Sequence, residues 1–454
     1  MQYIWARTAL TKTGWQPDVL IGVGDDGLIA TIDSSAKPQG QQVRVILPAP
    51  VNLHSHAFQR AMAGLTEARG ANASDSFWTW RQLMYRFLDH LTPDHIEAIT
   101  AFVQMEMLEA GYASVAEFHY LHHQPGGQPY DDLAELSARI SAAAATTGIG
   151  LTLLPVLYEH GGCDGRALGA GQNRFGNTAE RFGMLWDGAK ATLKALPGDA
   201  TIGVAPHSLR AVSKAGLKFA EALAPDAPIH MHLAEQVAEV EEVHAAWGKR
   251  PVEWLLSAHN IDQRWCLVHC TQMTPEETLG LARTGAIAGL CPITESSLGD
   301  GIFDGVRYLG AEGRFGIGSD SNIRISLAEE LRTLEYSQRL QHKGRAMLAT
   351  QEKSNGRILY DGTCAGGARA AGRNCGAIAV GQLADLVALD ANNANLVGRS
   401  GDTLLDSFIF AGDSSLVSNV WSAGRLMVQD GQHTFRNSII EKYSATIRDI
   451  QQKI

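Results

Sequence analysis

The feature that most constrains this chain is a rhythm. Eight short apolar runs are set apart by helix-length stretches: residues 47–56, Ser114–Tyr120, Leu151–Leu157, Ile202–Ser208, Pro228–Glu235, Trp265–Cys270, Ala286–Pro292 and Arg314–Ser321. Such short runs suit strands buried on both faces of a parallel sheet. Helix-type periodicity fills Ile96–Ala110, Asp132–Thr147, Ala179–Ala195, Val237–Trp247 and Pro275–Thr284, some with Pro or Asp near the start, and returns after the eighth run in Leu327–Arg339. Eight strand–helix units predict a (β/α)8 TIM barrel over a doubly wound open sheet, which uses fewer strands.

The two ends have a different texture. Val19–Val23, Asp25-Asp26-Gly27 and Leu28–Ile32 form a hairpin pattern, and Ala384–Leu389 and Val417–Trp421 repeat it late, with turns at Ala423-Gly424 and Asp430-Gly431. The expected organisation is a small composite β-sandwich domain built from 1–47 and 366–435, a catalytic barrel over 48–365, and a C-terminal helix over 436–454. The 454 residues are enough for that.

The 48 acidic residues outnumber the 38 basic ones, and this net charge of -10 argues against nucleic acid as the main partner. Cys163, Cys266, Cys270, Cys291, Cys364 and Cys375 form no C-x-x-C pair, so reduced thiols are expected rather than a disulfide framework. Met1–Trp5 opens without a basic then apolar leader, and no apolar run spans a bilayer. A cytoplasmic chain with no membrane partner is expected.

A barrel's active site collects at the C-terminal ends of its strands. There the first strand ends in His54-Ser55-His56, the fifth in His230-Met231-His232 followed by Glu235, the sixth in His269 and the eighth in Asp320. His54 and His56, two apart on a strand, share one face. A single such pair also arises on wet strands and carries little alone; His or Asp at four strand ends is hard to explain by packing. The proposed ligands are His54, His56, His232 and Asp320, with one position left for water. Three imidazoles and a carboxylate suit one divalent metal, zinc by default, with iron or manganese also fitting; such a metal brings the pKa of bound water to about 7. His230 is read as structural. His119, His122 and His123 are expected in a loop, in contact with solvent or behind the ligands. Cys266 and Cys270 read as packing thiols, and the Gly-rich stretch Gly161–Gly176 as a loop on the active face with a lid or interface role.

This pattern resembles the amidohydrolase superfamily, whose metal-dependent members carry His-x-His after the first strand, a fifth-strand His and an eighth-strand Asp. The resemblance extends to the composite β domain and Gly381-Gln382-Leu383-Ala384-Asp385-Leu386. Ala205-Pro206-His207-Ser208 holds no lysine, so the resemblance implies one metal and the deaminase branch. His232-Leu233-Ala234-Glu235 is also similar to that branch, where this Glu shuttles protons. Leu53–Arg60, Ser76–Arg81, Ala116–Tyr120, His207–Arg210 and Cys291–Glu295 resemble the N-formimidoyl-L-glutamate deiminases of histidine degradation. These convert N-formimidoyl-L-glutamate and water to N-formyl-L-glutamate and ammonia. Ala205-Pro206 and Pro292 are local departures that leave the polar residues in place. A homodimer is expected from the resemblance alone.

With that substrate, Glu235 serves as general base then general acid, His269 orients the attacking water, and Asp320 adds proton acceptance to ligation. Two carboxylates on the small amidine substrate call for cationic partners: Arg81 and Arg210, with Gln59, Tyr120 and His207 as further donors. Two alternatives stand beside this reading. Another deaminase of the branch would act on guanine, adenosine-type compounds or triazines, and a catalytically silent relative would keep the barrel as a scaffold.

Overall fold

The computed structural model describes residues 1–67 and 77–453, so Ser76 of the Ser76–Arg81 motif lies outside the described residues. Eight parallel strands form the centre. Val51–Ser55, Ser114–His119, Gly150–Leu157 and the short pair Thr201–Ile202 and Ala205–Pro206 make one half-sheet. Ile229–Leu233, Trp265–His269, Ile287–Leu290 and Arg314–Ile317 make the other. Parallel bridges Val204–Ile229 and Ser208–His232 join strand four to five, and Ser55–Asp320 joins one to eight, closing the barrel. All eight predicted runs are thus strands.

The fourth is shorter than its apolar run suggested, and the reason is local. Pro206 has no N–H to donate to a ladder. Gly203 lies so close to its neighbours that a Cβ there would meet the Leu154 side chain at 2.5 Å and the Pro228 carbonyl oxygen at 2.7 Å. The strand therefore breaks between its two pieces.

Helices cover the barrel where the 3.6-residue period placed them, among them Pro93–Glu109, Glu135–Thr147, Ala179–Thr192, Val237–Trp247, Pro275–Ala282 and Leu327–His342. Several starts are capped by the chain itself: Thr274 and Glu277 form a reciprocal capping box, and Ser326 accepts from the Glu329 N–H. Helix Asn355–Ala370 runs through residue 366, where the sequence placed a domain boundary, and Gly366 packs directly on the Phe315 carbonyl of the eighth strand.

Strands from both ends of the chain share one eight-stranded sheet. Gln2–Thr11 pairs with Gly14–Val23 on one side and Gln41–Pro48 on the other, and Gln41–Pro48 pairs in turn with Leu386–Leu389. Helix Arg436–Gln451 lies against Pro93–Glu109, with the Tyr443 and Phe102 rings stacked at 3.9 Å. Among the described residues no helix is long and apolar enough to cross a membrane.

Candidate metal centre

The first strand delivers His54 and His56 to the barrel mouth, and the eighth delivers Asp320 beside them. Their backbones interlock: Asp320 N–H donates to His54 O and His56 N–H to Asp320 O, each at 2.9 Å. Ala234, His269, Cys270 and Asp320 all adopt left-handed φ, from 47° to 71°. Non-glycine residues take that conformation at a cost, and here four do so where strands five, six and eight end.

One potential ligand atom from each of His54, His56, His232 and Asp320 lies within 4.8 Å of the others, and all four residues are buried. His54 Nε2 is 3.1 Å from His232 Nε2, while Asp320 Oδ1 is 3.2 Å from His56 Nε2 and 3.5 Å from His54 Nε2. Ligand atoms about a tetrahedral metal stand roughly 3.4 Å apart, so the donors already have a suitable spread. Tautomers are set from behind. A backbone carbonyl can only accept, so His56 Nδ1–H donates to Phe118 O and His232 Nδ1–H to His207 O, each at 3.0 Å. Both Nε2 lone pairs therefore face the cluster.

Burial pushes His54 down to about 3 and His232 well below its ordinary value, so both imidazoles are neutral and able to ligate. Burial alone would raise Asp320, but the imidazoles of His54 and His56 hold its carboxyl well below the usual range. Two neutral nitrogens face each other in a dry site, and this donor set fits a divalent cation.

Around the cluster opens a cavity whose wall includes Gln59, Arg81, Tyr120, His207, Arg210, Glu235 and His269. All the substrate and acid–base residues expected from the sequence are therefore brought together there. Gln59 Nε2 donates to Tyr120 Oη at 2.7 Å, and Arg81 Nη2 to Tyr158 Oη at 3.1 Å. His269 Nε2 stands 3.8 Å from Glu235 Oε1 and from Asp320 Oδ2. Burial lowers His269, but Glu235, Glu295 and Asp320 outweigh it and raise the imidazole to about 10.

Arg210 differs from a carboxylate clamp standing open. Its Nη2 donates to Glu235 Oε2 at 3.2 Å, and its Nε lies 3.9 Å from Glu239 Oε2. Glu239 in turn accepts the N–H groups of Ala234 and Glu235 at 3.1 and 3.0 Å, fixing the turn that presents Glu235. The sequence shows Glu239 only as one more polar helix residue. Glu295 was similarly missed; its Oε1 faces His269 Nδ1 at 3.3 Å and accepts the Cys291 N–H at 2.9 Å. Tyr158, also missed, directly follows the third strand, a position that marks it for the barrel mouth.

The three neighbouring histidines require a correction. His119 ends the second strand, and all three are buried rather than in contact with solvent. His122 Nε2–H donates to Val156 O and His123 Nε2–H to Gly176 O, both at 2.9 Å. The stretch Gly161–Gly176 folds over them and contributes Phe175 to the cavity wall. His230 is structural as expected, donating from Nε2 to Ala370 O at 2.7 Å. Cys266 and Cys291 sit in an apolar cluster with Leu53 and Val268.

Residues 45–427 match the amidohydrolase family, and residues 1–44 match the N-terminal domain of formimidoylglutamate deiminase HutF. The formimidoylglutamate deiminase of Pseudomonas aeruginosa is 48% identical over 95% of this chain and 96% of its own length. An 8-oxoguanine deaminase of the same organism is 27% identical over 85% of this chain and 83% of its own. The crystal structure of an amidohydrolase from Brucella melitensis superposes with a TM-score of 0.95 at 47% identity, covering 99% of this chain and all of the other. A zinc-bound adenosine deaminase from Xanthomonas campestris, with a TM-score of 0.81 at 20% identity over 99% of this chain and 98% of its own, shares the fold. Cluster, barrel and both matched segments lead to one conclusion: the chain belongs to the amidohydrolase family.

Proposed function

We propose that the protein is a mononuclear metal-dependent deiminase that hydrolyses N-formimidoyl-L-glutamate to N-formyl-L-glutamate and ammonia. The observation that carries this reading is the pairing of a four-donor cluster with two arginines, Arg81 and Arg210, in one cavity wall. The relative 48% identical over 95% of the chain bears the name of that activity. A flat uncharged purine or triazine would need stacking and edge hydrogen bonds and has no use for two guanidinium groups.

His54, His56, His232 and Asp320 would hold the metal, zinc by default. When bound, it supplies Lewis-acid activation of water and of the amidine. Glu235 takes the proton of the attacking water and delivers it to the departing nitrogen. Arg210, bound to Glu235 Oε2, keeps that carboxylate aimed, while His269, braced by Glu295, orients the water. Arg81 and Arg210, with Gln59, Tyr120 and His207, bind the dicarboxylate portion. The six free, buried thiols suit a reducing compartment, here the cytoplasm. We carry the homodimer forward as part of the same proposal.

The test is ammonia release from N-formimidoyl-L-glutamate beside N-formimidoyl-L-aspartate, guanine and adenosine. Preference for the first is expected. Release only from a purine would transfer the assignment to the other deaminases.

A further inference from the structure

A second, smaller recess adjoins the main cavity and shares Arg81, Tyr158, His207 and Arg210 with it. Its outer wall is new: Gly161 and Arg166 from the long loop after the third strand, and Glu242 from helix Val237–Trp247. Arg166 is half-exposed. Its Nη2 lies 2.8 Å from Glu242 Oε1 and its Nη1 3.1 Å from Asp164 Oδ1.

The loop is built to hold the guanidinium here. Gly161 N–H donates to Arg166 O at 2.8 Å, and Gly165 N–H to Gly162 O at 3.0 Å, making a tight turn. Trp247 Nε1–H donates to Cys163 O at 3.1 Å, tying that turn to the helix that carries Glu242. The guanidinium lies flat on Gly162, where an added Cβ would stand 2.0 Å from Arg166 Cζ.

Charge gives the recess its meaning. Arg210 already faces Glu235 and Glu239, so its charge is offset before a dianion arrives. Glu242, on the recess wall, would repel such a ligand unless Arg166 stood in front of it. Resting on the deiminase reading above, we propose that Arg166 is a specificity-determining residue that exchanges Glu242 for the side-chain (γ) carboxylate of the substrate. Arg166 is itself half-exposed and rests on the Gly162 platform, so that exchange is a swing of one flexible side chain away from the part-buried Glu242. No bond is made or broken.

The test compares N-formimidoyl-L-glutamate with its γ-amide, N-formimidoyl-L-glutamine, in metal-loaded protein. A charge-assisted contact at a half-exposed site is worth about tenfold in affinity. Arg166→Gln is expected to raise KM for the dicarboxylate about tenfold, with kcat and the γ-amide's kcat/KM unchanged within about twofold. Arg166→Lys should fall between, and Gly162→Ala, which displaces the guanidinium without removing it, should shift KM in the same direction. Equal losses on both substrates, or an unchanged KM in Arg166→Gln, would overturn the proposal. So would recovery of the wild-type KM in Arg166→Gln/Glu242→Gln, because Arg166 would then only mask Glu242. Calorimetric titration with glutarate, a simple dicarboxylate, gives a readout independent of turnover, and about tenfold weaker binding to Arg166→Gln is expected. If wild-type protein releases no ammonia from N-formimidoyl-L-glutamate, the deiminase reading fails, and the glutarate titration alone decides the role of Arg166.

Discussion

Two buried polar clusters in this molecule have opposite logic. At the junction of barrel and β domain, Arg373 donates to both oxygens of Asp385 at 2.7 and 3.0 Å and to Asp199 at 2.8 Å. Arg425 reaches both oxygens of Asp199 at 2.9 Å, and Ala423 N–H completes Asp385 at 2.7 Å. Two guanidinium groups meet two carboxylates, and the set is closed. At the barrel mouth, three imidazoles crowd one carboxylate, nitrogens face each other at 3.1 Å, and His54 Nδ1 has no hydrogen-bond partner among the described residues. A network that completes itself holds domains together, whereas one whose lone pairs converge on a point is built to receive something.

The comparison can be broken from either side. The largest effect is expected from the mouth: His232→Ala or Asp320→Asn should abolish stoichiometric metal binding and reduce ammonia release to background, measured by elemental analysis and assay. Next comes Glu235→Gln, expected to lower kcat by roughly 10² to 10⁴ while metal content stays at wild-type level.

Asp199→Asn attacks the closed cluster and should destabilise the fold by about 3–5 kcal/mol in denaturant titration, with activity per folded molecule retained. Its pH dependence has a definite sign. Burial works to raise the Asp199 carboxyl, but Arg425 and Arg373 together hold it below its ordinary value. Its contribution is therefore full above about pH 4 and lost as pH falls through its folded-state value, so wild type and variant should converge in acid. The smallest effect is expected from Glu295→Gln, about 10- to 100-fold in kcat through a less well-oriented His269.

The two clusters also differ in how far they can be read from sequence. Metal-ligand candidates are legible because the barrel turns order along the chain into convergence in space: the end of an apolar run is the mouth. The composite β sheet shows itself through hairpin turns such as Asp26-Gly27, where Gly27 indeed takes φ 78°. Partnerships across the chain are hidden. Nothing near Asp199 points to Arg425, 226 positions away. Glu239 looks like an ordinary helix residue until the turn at Ala234 brings it beneath Glu235. Burial of His122 and His123 depends on a loop some fifty residues later folding back over them. Likewise, the break in the fourth strand follows from the crowding of Gly203 by Leu154 and Pro228, which no local pattern records.

The most direct measurement of the central claim is a zinc titration of chelator-stripped protein, following ammonia release from N-formimidoyl-L-glutamate. Activity should rise linearly from background and break at one equivalent of metal per chain, with His232→Ala flat throughout. Full activity in the stripped protein, or no ammonia at any zinc level, would contradict it.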